Sequence, residues 1–148
     1  MTTAQRSSDV SHVHALVLVF VGGAVGTGVR EAFALSFPTS AGGFPTAILL
    51  INVVGAFVLG VLLETLSRRG PDEGRARRVR LLLGTGVLGG FTTYSAFAAD
   101  AALLLQSVPA VAVLYVAATL VAGLLASIAG VAVGGALHRR IERGRGGA

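Results

Sequence analysis

Cysteine and lysine are absent from this sequence, and only 13% of its 148 residues are charged. The first absence removes disulfides and thiolate metal sites and leaves the redox compartment undetermined. The second means that a formal net charge of +5 rests on arginine alone. Sparse charge combined with 53% hydrophobic residues and a mean hydropathy of +0.79 is too apolar for a soluble domain of this size. The chain therefore reads as an integral membrane protein. It carries no nucleotide motif and no catalytic constellation, so it does not read as an enzyme. Its basic charge, which in a soluble protein would point to nucleic acid, has a better account in membrane topology.

A spanning helix needs about 20 mostly apolar residues, and four such segments lie at roughly 13–36, 45–66, 80–106 and 109–137. The predicted fold class is an all-α membrane protein of four transmembrane helices. One membrane domain covers 13–137, with a disordered polar tail over 1–12 and a disordered basic tail over 138–148. The first span is longer than a secretory core, holds Arg30 and is followed by further spans, so it reads as a retained helix rather than a cleaved signal. Four spans put both tails and the second loop on one side. That side carries eleven of the twelve arginines: Arg6, the run from Arg68 to Arg80, and the run from Arg139 to Arg145. The loops on the other side, 37–44 and 106–109, carry no charge. The positive-inside rule then makes both termini cytoplasmic, with the second loop meeting anionic lipid headgroups; the inner (plasma) membrane is the expected location.

The third span is the least like a lipid-embedded helix. It reads Gly89-Gly90-Phe91-Thr92-Thr93-Tyr94-Ser95-Ala96-Phe97, a glycine pair followed by hydroxyls and aromatics, and a break is predicted there. Irregular backbone at membrane depth is tolerated only where protein buries it or it lines a wet cavity, so the break suggests an ion site. Hydroxyls and freed carbonyls suit a hard cation bound by oxygen. Tyr94 and Phe97 are three apart and share a face.

Asn52, mid-span in the second helix, is costly among apolar neighbours unless something bonds it. It either joins helices or points its NH2 into a pore as a donor to an anion. Gly22 and Gly26 have the small-xxx-small spacing of close helix packing. Arg30 either snorkels to the outer interface or serves a vestibule that attracts anions. In the fourth span Thr119 and Ser127 are two turns apart and could extend a hydroxyl track along a pore.

With these residues together, the chain resembles the small bacterial fluoride channels, the Fluc or CrcB family. The likeness rests on Gly22-Gly23-x-x-Gly26-x-x-x-Arg30, on Asn52-x-x-Gly55 and above all on the run from Gly89 to Phe97. It implies a fluoride-selective passive channel that relieves fluoride toxicity, built from two chains packed antiparallel (dual topology). It further implies a structural, non-transported sodium ion held by backbone carbonyls of Gly89 and Thr92. The fluoride pore would be lined by Asn52, Tyr94, Ser95, Phe97 and Ser127, with Arg30 at a vestibule. Tyr94 stands where the family typically has Phe, and Ala96 where a hydroxyl residue is common. The arginine bias sets this chain apart from one able to insert both ways and favours an oppositely oriented paralogue over a homodimer. The alternative is a small four-helix proton-coupled drug or cation exporter, which needs a deep carboxylate; Glu31, Glu64 and Asp100 all lie near span ends.

Overall fold

The computed structural model describes residues 3–40 and 42–145, and side chains within 12–140. All regular structure among the described residues is helical: α1 (Thr3–Ser36), α2 (Thr46–Ser67), α3 (Gly74–Val79), a π-helical segment (Arg80–Leu88), α4 (Gly89–Phe91), α5 (Tyr94–Ser107) and α6 (Pro109–Arg145). The four stretches His12–Ser36, Thr46–Ser67, Gly74–Ser107 and Pro109–Arg140 are long and apolar enough to cross a membrane. The chain is a multi-pass membrane protein.

Two boundaries differ from the sequence expectation. Helix occupies 3–12 and 138–145, where irregular tails were predicted; residues 1, 2 and 146–148 lie outside the described residues. Once a helix is nucleated, each further residue adds a hydrogen bond without a new nucleation cost, and Ala4, Gln5 and Arg6, like Arg139 and Arg140, are good helix formers. Pro45, expected as the first residue of α2, is instead its N-cap, with φ −75° and ψ 69°. Pro109 does open α6, where its missing N–H costs nothing.

The helices pack mainly as two pairs, α1 along the π-helical segment and α4, and α2 along α6, with α5 laid against α6. Glycine sets the distance of closest approach in both. A Cβ on Gly86 would lie 2.9 Å from Gly22 Cα, and one on Gly26 would lie 2.8 Å from Phe91 N. On the other side, a Cβ on Gly130 would lie 3.1 Å from Val61 N. Lipid offers no hydrophobic drive between helices, so backbone contact at small residues is what holds them. The predicted packing role of Gly22 and Gly26 is thus seated on the third span.

The π-helical segment has no counterpart in the sequence reading. Its i→i+5 bonding takes an extra residue into each turn, and it contains Gly84 and Gly86, both buried. At the arginine-rich end Glu64 accepts from Arg68, four residues on, at 2.5 Å. Arg80 Nε donates to Asp72 Oδ1 at 3.0 Å.

Candidate ion site

Helix α4 ends at Phe91, and the next two residues are extended: Thr92 at φ −73°, ψ 156° and Thr93 at φ −148°, ψ 122°. The glycine pair that precedes them is helical; Gly90 packs closely, since a Cβ there would lie 3.0 Å from Gly23 Cα. Thr92 closes the first half, its N and its Oγ1 each donating to Leu88 O at 2.9 Å. Thr93 opens the second half as the N-cap of α5, its Oγ1 accepting from Ala96 N at 3.1 Å. A threonine oxygen at that position satisfies one of the free amides of the first helical turn.

The remaining polar groups of Thr93 are met from α2. Thr93 N donates to Asn52 Oδ1 at 2.8 Å, and Asn52 Nδ2 donates to Thr93 O at 3.0 Å. One carboxamide thereby serves both backbone groups of a buried, non-helical residue. Each of those groups would otherwise cost roughly 1–3 kcal/mol unpaired. Asn52 thus joins helices, the first of its two predicted roles. This clamp uses one of the two hydrogens that a carboxamide nitrogen carries. Gly55, one turn on, lets the extended pair come close: a Cβ there would lie 3.5 Å from Phe91 Cδ1 and closer still to Thr92 Cγ2.

Asn52, Thr92, Tyr94, Phe97 and Thr119 line an open concavity of about 340 Å³, completed by Gly123 and neighbouring leucines of α6. Phe97 is buried while Tyr94 is 81% exposed, and their ring centroids are 6.0 Å apart at 50°. Behind Phe97 sits Tyr115, at 5.4 Å between centroids, itself edge-on to Phe44 at 5.5 Å and 89°. The ring stack fixes Phe97 while Tyr94 stands free on the surface.

The predicted site residues divide. Asn52, Tyr94 and Phe97 meet in one concavity, together with Thr92. Ser95 does not line it; with Arg30 and Glu31 it borders a second one, of about 370 Å³. Thr93 borders both, and its hydroxyl is 3.2 Å from that of Ser95. Ser127 lines neither and lies at the crossing of α6 with Gly60. Gly89 is exposed, at the start of α4.

Two residues outside the set implied by the resemblance stand out, Tyr115 and the Thr119 of the hydroxyl track. Tyr115 OH and Thr119 Oγ1 are buried and have no hydrogen-bond partner among the described residues. Thr119 borders the concavity one turn from Gly123, and Ser127 is a further turn along the same face. The track of small and hydroxyl residues on α6 was legible as a spacing, but its members were told apart only by which of them faced Asn52 and Phe97.

Comparison with known proteins then places the molecule. The family described as "CrcB-like protein, Camphor Resistance (CrcB)" matches residues 17–131. The chain belongs to this family. Within it, the chain is 53% identical over 140 residues to a protein of Leifsonia xyli subsp. xyli named "Fluoride-specific ion channel FluC 2", covering 93% of this chain and 96% of that one. A protein of Cutibacterium acnes named "Fluoride-specific ion channel FluC 1" is 52% identical over 66% of this chain and 69% of its own length. One of Bacillus subtilis named "Fluoride-specific ion channel FluC 2" is 42% identical over 78% and 84% respectively. The stretch matched to the CrcB family runs from within α1 to within α6 and contains every predicted site residue.

Proposed function

We propose that this chain is a subunit of a fluoride-specific ion channel, a passive anion pore that lowers cytoplasmic fluoride. The observation that carries the reading is the 53% identity, across nearly the whole chain, with a protein of that name. Fluoride is small and strongly hydrated, so a selective path must replace its water with donors. The Asn52 concavity supports this chemistry. The second N–H of Asn52, the buried Thr119 hydroxyl and the electropositive edges of Tyr94 and Phe97 are all donors or their equivalents. Conduction also requires that the site hold the ion without trapping it. Arg30 and Ser95, on the far side of Thr93, serve a vestibule, and Ser127 extends the track along α6. Protonated fluoride crosses membranes and dissociates in a neutral cytoplasm. A passive pore drains the anion, driven by roughly 2.3 kcal/mol per 100 mV of negative-inside potential.

The proposal includes a structural sodium ion held by the carbonyls of Gly89 and Thr92. These residues fit it. Thr93 N, which in a continuous helix would donate to Gly89 O, is taken by Asn52, and the carbonyl end of a helix carries partial negative charge. No group of three or more His, Cys, Asp or Glu among the described residues could hold a metal instead. When bound, the ion supplies a fixed positive charge beside an anion path.

The membrane is the inner (plasma) membrane, with cytoplasmic termini, and the second subunit is antiparallel. Eleven arginines on one side commit the chain to a single orientation, so an oppositely biased paralogue is the expected partner. Terminal tags in cells expressing this chain alone should all report from the cytoplasm. A mixed population would restore the homodimer.

Fluoride efflux from liposomes carrying the purified complex, with chloride as control, tests the function. Efflux of fluoride and retention of chloride is the expected result; equal flux of both refutes selectivity. Thr119→Val gives a sharper reading. Replacing an unpartnered buried hydroxyl by a methyl of the same shape should leave stability unchanged or raise it by about 1 kcal/mol. Efflux should nonetheless fall about tenfold, because the ion loses a donor.

A further inference from the structure

At the arginine-rich end a concavity of about 570 Å³ opens between α1 and α3. Arg77, Arg78 and His14 contribute its polar part, and Val17, Leu18 and Leu81 its apolar wall. No acidic residue is among the described residues that line it. Two carboxylates of this end are paired elsewhere among the described residues: Asp72 with Arg80, and Glu64 with Arg68. Glu73, which precedes Gly74 in the chain, does not line it. Arg77 and Arg78 are both exposed, and neither forms an ion pair among the described residues.

We propose that this concavity is a binding site for an anionic phospholipid, with the phosphate between Arg77 and Arg78 and an acyl chain along Val17, Leu18 and Leu81. Two features select a lipid over a free anion. The basic groups sit at the end of a spanning helix, where headgroups lie. The wall below them is made of apolar residues of the first and third spans, with Val17 54% exposed, a surface that a soluble phosphate would leave uncovered. Guanidinium forks match phosphate oxygens in pairs. Basic pockets between spanning helices on the cytoplasmic side suit acidic headgroups in general. The site is independent of the ion path, since none of its residues borders the Asn52 concavity.

Native mass spectrometry of the full chain in neutral detergent provides the test, with phosphatidylglycerol and phosphatidylcholine supplied in equal amounts. The wild type should retain the anionic lipid preferentially. Arg77→Gln with Arg78→Gln should cut that preference about twenty-fivefold, each arginine being worth about fivefold. Arg139→Gln with Arg140→Gln removes the same charge from the same end without touching the concavity and should leave the preference within about twofold. Where the first double variant does not accumulate, Arg78→Gln alone should show the fivefold loss. The proposal is overturned if the Arg77/Arg78 variants keep the wild-type preference or if both double variants lose it equally. Displacement of the lipid by glycerol 3-phosphate at matched concentration also overturns it, by making a free phosphate the occupant.

Discussion

Asn52→Leu should destabilise the protein by roughly 2–6 kcal/mol and abolish fluoride efflux. The size follows from the clamp. Removing the carboxamide strands both the N–H and the C=O of Thr93, at roughly 1–3 kcal/mol each, and a leucine offers neither a donor nor an acceptor in return. Asn52→Asp separates the two roles. Its carboxylate can still accept from Thr93 N, which Asn52 Oδ1 does at 2.8 Å, but its other oxygen faces Thr93 O with no hydrogen to give. It also places negative charge beside the path of an anion. Efflux should therefore fall by more than the roughly 10- to 100-fold expected for losing one donor to a charged ligand, while the stability loss stays below that of Asn52→Leu. Thermal unfolding in detergent and liposome efflux read the two quantities. Wild-type stability in Asn52→Leu would remove the clamp from the account; wild-type efflux in Asn52→Asp would remove the anion path.

The second large effect belongs to Gly26. Gly26→Val should prevent α1 from seating on the third span, with a loss of at least about 3 kcal/mol, because overpacking a tight contact already costs roughly 1–3 kcal/mol and here the obstructing atoms are backbone. A Cβ at that position would meet Phe91 N at 2.8 Å and Val87 O more closely still, and neither can swing aside as a side chain would. Gly28→Ala is the matched control, since nothing lies within 4 Å of a Cβ added there. Size-exclusion profiles in detergent should show aggregation for the first and a monodisperse peak for the second. A monodisperse Gly26→Val protein of wild-type stability would mean that α1 does not pack on the third span through this glycine.

What the sequence disclosed and what it hid have different physical origins. The four spans were legible because crossing hydrocarbon demands a run of about 20 apolar residues, a local requirement. The Gly22/Gly26 stripe was legible for a related reason, while the meeting of Asn52 with Tyr94 and Phe97 was implied only by the family resemblance. An amide or a small residue inside such a run stands out, and aromatics three apart must share a face. What holds the extended residues in place was not legible. Gly89 and Gly90 are helical, and Thr92 and Thr93 after them are extended. The partner that makes an extended Thr93 affordable is Asn52, 41 positions earlier in the chain, and no local pattern announces a contact at that separation. The capping role of Thr93 could have been read from the helix-forming run that follows it. Thr119 and Ser127 have the same spacing argument behind them, and only the packing of α6 against α5 distinguishes the one that borders the Asn52 concavity. The tails were misread because polar composition was taken as irregularity, while a long helix extends into water at little cost.

The π-helical segment sets a limit on how this chain can change length. Its wide turns lie between the arginine-rich loop and the extended threonines, so they set the angle at which Thr93 arrives opposite Asn52. A residue inserted between Arg80 and Leu88 would swing everything beyond it by up to about 100°, carrying Thr93 away from its carboxamide and the two rings out of the concavity, whereas a lost residue is offset in part as the wide turns tighten toward an α-helix. This nine-residue stretch therefore tolerates no added residue if the third span is to stay in phase, while the loop between α2 and α3 carries no such constraint.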